Sequence, residues 1–474
     1  MRIAVLAVTV AVTAALAAPP GVYDADPTHL WNRLHDALFL RVGADGQEYG
    51  RDREEPLLWR ESHHLLGGDS HQRLLSVLAE FNRGGATLVA DPLKRAMLQR
   101  DLWLVFNWLE HSHDDFYGFP GAKADWQARQ DALRRPLARA IGALALTPRQ
   151  VAALPDTYAA AVASHEFADR FDPRQPDRPY LPPDLFAADG PWVCLGRGND
   201  LIAPSHVLSD NPFTTSAFLI FIKLPGGRAA TRDYIARLSA FNGPMFLSTP
   251  SNRSPEFPNY NPAIPQFPEG TEVALVRRAL LVTSSFDVMA SPLVENVQVR
   301  VYRRVPAWSP DVMLRAGLPT DEARSLQAFS EFFVTRTLLF AGRAGGLHAA
   351  TAGDHDFLTG FSTHGNDPFD AEPGEAPAVT AARPRGLPHP SSPPRREFAL
   401  ADRCFPCHNL PGVFSFNTFA QAFPATRASR APLSVAAPQD LLASAVAWKQ
   451  KRPDWILLQR LLREPAAPGR IPNP

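Results

Sequence analysis

Cysteine is scarce in this chain, which has only three cysteines in 474 residues. A scaffold held together by disulfides needs a much denser set. The fold must therefore rest on an ordinary apolar core, for which an apolar content of 45% is ample. Two of the cysteines stand close together at positions 404 and 407, which leaves Cys194 alone. We expect Cys194 to be a buried thiol, because a leftover cysteine usually packs as a small apolar residue.

Net charge is absent as well, since 48 basic residues balance 48 acidic ones. This balance argues against a nucleic-acid partner that recognises the chain by its overall charge. Long apolar runs are missing beyond the N-terminus, whereas a membrane-spanning helix needs about 20 apolar residues. We therefore expect no transmembrane span in the mature chain.

The N-terminus has the pattern of an export signal. Arg2 supplies a positive charge, residues 3–16 are apolar, and small residues lead to a predicted cleavage after Ala17. The apolar stretch is short for a membrane anchor. We expect residues 1–17 to be a signal peptide and the mature protein to be periplasmic or secreted.

Residues 26–170 are predicted to be helical. Asp91 and Pro92 suit the N-cap and the first position of a helix, and an apolar run follows them. Residues 126–146 then combine arginines with apolar positions at helical spacing. Together these patterns predict a helical N-terminal region.

The pattern changes to that of strands within residues 171–365. Segment 217–224 is a short apolar run that ends before Pro225, and segments 273–283 and 329–340 are further strand candidates. Valines alternate with polar or larger residues over 297–302, as in a half-buried strand. We expect this middle region to be α+β.

Residues 366–396 are dense in proline, alanine and glycine and show no sustained apolar periodicity, which is typical of a linker. Residues 397–474 follow, with a helical pattern over 438–463 that Pro453 interrupts. The predicted fold class is an α+β multidomain chain. It has a helical N-terminal region, a mixed α+β middle and a small, mainly α module at the C-terminus.

The most informative motif is Cys404-Phe405-Pro406-Cys407-His408, a C-x-x-C-H. This spacing is that of a c-type haem attachment site. Two thiols add across the two vinyl groups of the porphyrin, and the histidine that follows reaches the iron as an axial ligand. One short segment thus attaches haem and ligates it. An export signal in the same chain is consistent with this chemistry.

On this motif, residues 397–474 resemble the c-type cytochromes. Cys404, Cys407 and His408 match the attachment site of that family, and residues 440–462 stand where its later helix packs against the haem. The resemblance implies one covalent haem c, one-electron transfer and a redox partner protein. The first 390 residues resemble no characterised enzyme family.

The chain departs from the common small cytochromes c in its sixth ligand. No methionine follows Met313, and no histidine follows His408. The iron is therefore five-coordinate, binds water or a weak ligand, or takes its sixth ligand from upstream. His364, His355 and His389 are the upstream candidates, although each is an ordinary histidine by default.

These options differ in function, because a strong sixth ligand suits electron transfer whereas an open position admits small molecules. One-electron transfer is the leading hypothesis. The alternatives are a haem-based binder or sensor of a small diatomic ligand, a peroxidase-like oxidoreductase, and a scaffold in which haem is only structural. The sequence does not assign catalytic residues or establish whether the protein is an enzyme.

Two other kinds of site share part of this motif. The C-x-P-C within it is similar to thioredoxin-like redox centres, but no long apolar strand precedes it and too little chain follows to complete their sheet. A structural zinc site needs four nitrogen or sulfur ligands, and no second Cys/His pair lies nearby in the sequence.

A weaker pattern lies in the helical region. Glu61 with His64, and Glu110 with His113, are each an E-x-x-H, and Glu80 lies between them in sequence. This arrangement is similar to the paired motifs of di-iron carboxylate bundles. Glycine and proline breaks leave little room for long bundle helices, so we expect solvated or capping side chains by default.

Overall fold

The structure is a computed structural model that describes residues 21–42, 48–52, 64–111, 123–198, 215–244, 246–248, 259–307, 325–351, 354–357, 397–399, 412–415 and 433–464. It combines a central antiparallel sheet with helices. The helices are α1 (Leu30–Phe39), α2 (Gly68–Phe81), α3 (Pro92–His111), α4 (Lys123–Leu144), α5 (Pro148–Ala152), α6 (Thr157–Ala163), α7 (Gly227–Ala240), α8 (Arg336–Phe340), α9 (Pro438–Lys449) and α10 (Pro453–Arg463).

Seven strands form the central sheet in the order β10-β9-β8-β7-β4-β3-β13, and all neighbours pair antiparallel. Three two-stranded pairs accompany it, β1 with β2, β5 with β6 and β11 with β12. The strands are β1 (Arg41–Val42), β2 (Glu48–Tyr49), β3 (Val193–Gly196), β4 (Ser216–Lys223), β5 (Phe246–Ser248), β6 (Asn259–Tyr260), β7 (Glu272–Val282), β8 (Val288–Tyr302), β9 (Gln327–Val334), β10 (Leu347–Ala349), β11 (His355–Phe357), β12 (Glu397–Ala399) and β13 (Ser434–Val435).

The sequence correctly predicts the start of α3. Asp91 caps the helix by accepting hydrogen bonds from the backbone N–H groups of Leu93 at 2.8 Å and Lys94 at 3.3 Å. Pro92 occupies the first helical position, where a missing N–H costs nothing. The predicted helix over 126–146 corresponds to α4.

The predicted strands over 217–224, 273–283 and 297–302 are confirmed as β4, β7 and the end of β8. Strand β4 is apolar throughout because both of its faces are covered. Phe218, Ile220 and Ile222 pack in one core with α7, whereas Leu219 and Phe221 pack in another core on the opposite face. Cys194 lies in this second core and is buried, as predicted.

The predicted strand over 329–340 is only partly correct. Strand β9 ends at Val334, and Arg336–Phe340 form helix α8 instead. The backbone N–H of Thr335 donates to the Gly346 carbonyl at 2.8 Å, which closes a turn between β9 and β10. The polar residues Thr335, Arg336 and Thr337 interrupt the apolar pattern where the strand gives way to the helix.

The C-terminal elements pack on the rest of the chain. Strand β13 joins the central sheet beside β3, and Trp455 of α10 lies 5.6 Å from Trp103 of α3 between ring centroids. Lys449 is fully buried, forms an ion pair with Asp454 and donates to Asn107 of α3 at 2.9 Å. Residues 433–464 therefore share a core with the helical region and the sheet.

The protein is thus a mixed α and β protein, as predicted. The mainly α haem module and the division of the chain at residues 17, 170, 365 and 396 stay predictions, because the predicted signal peptide, the linker and much of 397–474 lie outside the described residues. No helix within the described ranges has the length and apolar character that crossing a membrane requires.

Candidate functional site

The C-x-x-C-H motif lies between two pieces of chain that the structure describes. Cys404, Cys407 and His408 belong to residues 400–411, which are outside the described residues, as are His364 and His389. The structure does describe the residues directly before and directly after this twelve-residue segment. These two boundaries are what the fold reveals about the site.

The boundary before the motif is a strand pair. Strand β12 ends at Ala399 and pairs antiparallel with β11, so that Ala399 stands opposite His355. Cys404 follows Ala399 by five positions. The backbone of His355 is thus paired with the chain leading into the motif.

A hydrogen-bonded turn leads into β11. The backbone N–H and the hydroxyl of Thr351 both donate to one carboxylate oxygen of Asp354 at 2.7 Å, and Nε2 of His348 lies 3.1 Å from the same oxygen. Burial alone would raise the pKa of Asp354, but the hydrogen bonds from Thr351 and His348 hold it below its usual value. The charged carboxylate fixes the turn immediately before His355.

The boundary after the motif is a buried 3₁₀ turn, Gly412–Ser415. The backbone N–H of Val413 donates to Oε1 of Gln266 at 2.6 Å. The hydroxyl oxygens of Ser415 and Tyr302 lie 2.6 Å apart, and Ser415 donates to the Gly412 carbonyl at 2.8 Å, which makes Tyr302 the donor in the first contact. We call this turn the exit anchor.

Gly412 is at a position that only glycine suits. Its φ of +54° lies in the left-handed region. A Cβ there would stand 2.2 Å from Oε1 of Gln266 and 2.9 Å from Cγ1 of Val305. The chain therefore leaves the motif segment through a close backbone contact.

The exit anchor and the end of β10 lie at the same end of the sheet. Strand β8 ends at Tyr302, which is paired with Gln327 at the start of β9. Strand β10 runs along β9 from Val334 to Phe332, and the N–H of Ala350 then donates to the Glu331 carbonyl. The chain that leads to β11 thus leaves the sheet toward the end where the exit anchor packs.

The structure also contains a buried ionic cluster that the sequence analysis missed. Arg100 of α3 forms ion pairs with Asp101 at 3.0 Å and with Glu295 of β8. Arg336 of α8 and the hydroxyl of Tyr23 contact Asp101 at 2.5 Å and 3.0 Å. The signal in the sequence was the charged pair Arg100-Asp101 within a mostly apolar segment. That segment is buried on nearly every side of helix α3 between Ala96 and Leu109.

Burial and the neighbouring arginines shift the pKa values of the two carboxyls of this cluster in opposite directions. Burial raises the pKa of Asp101 to about 6 despite the neighbouring Arg100. Burial also acts to raise the pKa of Glu295, but the positive charges of Arg100 and Arg277 outweigh burial and hold this pKa below its usual value. The cluster joins α3 to the sheet and to α8, and we assign it a structural role.

The E-x-x-H pattern is not assembled among the residues that are described. Glu80 forms a bidentate pair with Arg33, at 2.8 Å and 3.0 Å, and Glu110 pairs with Arg134. Glu61 and His113 lie outside the described ranges. Within those ranges, no group of three or more His, Cys, Asp or Glu side chains is placed to hold a metal ion.

Cys194 is a core residue. It is 5% exposed in strand β3, and burial raises the pKa of its thiol to about 12. It is therefore an inert core residue at neutral pH.

Comparison with known proteins gives no relative: no family model, no curated protein and no solved structure matches this chain.

Proposed function

We propose that this protein is an exported monohaem c-type cytochrome-like protein that transfers single electrons through covalently bound haem. The observation that carries the proposal is the C-x-x-C-H at 404–408. Its donor set of two thiols and an adjacent imidazole fits haem c.

Each residue of the motif has a chemical role in this proposal. Cys404 and Cys407 form the thioether bonds, and His408 is the proximal ligand of the iron. The bound haem supplies a one-electron couple whose potential depends on its second axial ligand and on its burial. The physiological partner is a redox protein, and export places the exchange in the periplasm or outside the cell.

The anchored boundaries support this role. Electron transfer needs a haem whose surroundings change little between oxidation states, so the attachment segment needs fixed ends. The pairing of Ala399 with His355 holds one end. The buried exit anchor, with its hydrogen bonds to Gln266 and Tyr302, holds the other.

The sixth ligand in this proposal comes from the chain before the motif. We propose His355 as the sixth ligand, because its strand pairs with the strand that enters the motif segment. His364 and His389 are the other candidates from the sequence. A histidine pair at the iron would make it low-spin and suited to electron transfer.

Expression of the chain with haem-attachment machinery tests the proposal. The purified protein should retain haem after acid extraction, give a pyridine haemochrome spectrum of the c type, and gain the mass of one haem. The double variant Cys404→Ala/Cys407→Ala should lose covalent haem, whereas Cys194→Ala should keep it. A colourless wild-type protein without added mass would refute the assignment.

The spin state of the native protein then separates the functional classes. A low-spin spectrum and a reversible one-electron titration are expected for electron transfer. A high-spin iron that binds carbon monoxide readily would instead favour the small-ligand binder, and turnover of peroxide would favour the peroxidase-like enzyme.

A further inference from the structure

Arg300 of β8 is a buried cation without a counter-ion among the described residues. It is 9% exposed, and its Nη2 has no hydrogen-bond partner. Its Nη1 lies 3.5 Å from Oε1 of Gln327, at the outer limit of a hydrogen bond. Its guanidinium stacks on the ring of Phe329, 4.1 Å from the ring centroid. A buried guanidinium that lacks an anion is costly, so binding of an anion to Arg300 would offset that cost.

The one carboxylate on the same face of these two strands is engaged elsewhere. Glu331 of β9 lies diagonally from Arg300 and accepts hydrogen bonds from Asn296 at 3.0 Å and Gln298 at 3.1 Å. The contact with Gln327 directs the guanidinium of Arg300 toward the opposite end of β9. Arg300 therefore points away from Glu331 and toward the end of the sheet that holds the exit anchor.

The neighbourhood of Arg300 suits a planar anion. Stacking on Phe329 fixes the plane of the guanidinium, so its N–H groups are preorganised for two parallel hydrogen bonds to a carboxylate. Tyr302 lies two residues along the strand on the same face, and its hydroxyl contacts Ser415 of the exit anchor. We propose that Arg300 is a binding site for a carboxylate group at this end of the sheet.

Two sources can supply such a carboxylate. One is a propionate of the haem attached at Cys404 and Cys407, an assignment that rests on the proposed function. The other is a free carboxylate from solution, which does not depend on haem. Both use the same pair of hydrogen bonds to Arg300, and the experiment distinguishes them.

The test uses the full chain in a haem-free form, Cys404→Ala/Cys407→Ala, and in the haem-loaded form. Sodium acetate is titrated at constant ionic strength against sodium chloride, and thermal unfolding is followed. In the haem-free chain we expect a saturable rise in melting temperature. Arg300→Met should weaken the apparent affinity for acetate at least about tenfold, because it keeps the apolar stem but loses both hydrogen bonds.

Arg304→Met is the matched control, because Arg304 is exposed at the same end of the sheet and donates to the Ser325 hydroxyl. It should leave the acetate response unchanged. Arg300→Met removes an uncompensated buried charge, so it should fold and, without acetate, melt no lower than its parent. An acetate response that persists in Arg300→Met would overturn the proposal, since the anion would then bind elsewhere.

The haem-loaded protein identifies the source. If a propionate occupies Arg300, acetate should have no effect, and Arg300→Met should lower the midpoint potential because a cation near the haem is lost. If acetate still binds and Arg300→Met leaves the potential unchanged, the ligand is a free carboxylate. No acetate response in either form, together with an unchanged potential, would refute the site. Failure of haem attachment would leave the haem-free arm as the test of Arg300.

Discussion

Tyr302 and Ser415 share a buried hydrogen bond of 2.6 Å that joins the last residue of β8 to the turn following the C-x-x-C-H motif. Burial raises the pKa of Tyr302, so the phenol stays protonated and donates. Its ring packs against Phe267 at 5.1 Å between centroids. The contact fixes the end of strand β8 to the exit anchor.

The losses of stability from removing the two partners of this hydrogen bond should not add. Ser415→Ala leaves the buried hydroxyl of Tyr302 without its acceptor, and we expect the free energy of unfolding to fall by about 1–3 kcal/mol. Tyr302→Phe should cost a similar amount, and the double variant should cost less than the sum. Urea unfolding of the four proteins measures the coupling, and strictly additive losses would contradict it.

Gly412 should tolerate alanine much less well than a comparable glycine does. Gly412→Ala meets the left-handed backbone penalty of about 1–2 kcal/mol and also the contact with Gln266. Gly342 has a similar φ of +66° but open space around its Cβ position, so Gly342→Ala isolates the backbone penalty. We expect a larger loss of stability and a lower yield of covalent haem for Gly412→Ala, measured by urea unfolding and pyridine haemochrome. Equal losses would show that the exit anchor is not tightly packed.

Local patterns in the sequence were enough to predict much of the secondary structure. The alternating valines of β8 were recognisable because one side of that strand packs in an apolar core. The start of α3 was recognisable because a cap is encoded within three residues. Both signals depend only on neighbours in the chain.

Contacts between distant segments were not predictable in this way. Arg100 and Glu295 are 195 positions apart, and nothing near either residue identifies the other. The exit anchor likewise depends on Gln266 and Tyr302, which are far from Gly412 in sequence. The motif itself could be found because its chemistry is confined to five residues, whereas its frame comes from the tertiary fold.

The buried Asp101 should make stability depend on pH. Burial raises the pKa of its carboxyl to about 6 in the folded protein, whereas this pKa is near 4 in an unfolded chain. Between these values the folded state holds a proton that the unfolded state has lost. The protonated Asp101 therefore contributes about 3 kcal/mol to the free energy of unfolding. This contribution is fully present below pH 4 and is lost as the pH rises through 6.

A comparison of variants isolates this contribution. Asp101→Asn should remove it, so the difference in unfolding free energy between the wild type and this variant should change between pH 4 and pH 7. Asp440→Asn is the control, because Asp440 is exposed in the first turn of α9. Urea unfolding at several pH values gives the result. A difference that stays constant across this range would show that Asp101 is ionised throughout.

Replacement of His355 should change the iron more than replacement of the other candidate ligands. His355 is in register with Ala399, whose strand leads into the motif segment. In the haem-loaded protein we therefore expect His355→Ala to convert a low-spin iron to a high-spin one that binds carbon monoxide more readily. His364→Ala and His389→Ala are matched controls and should stay low-spin. Absorption and electron paramagnetic resonance spectra of the ferric proteins measure this. A low-spin His355→Ala protein with full haem content would show that the sixth ligand comes from elsewhere in the chain.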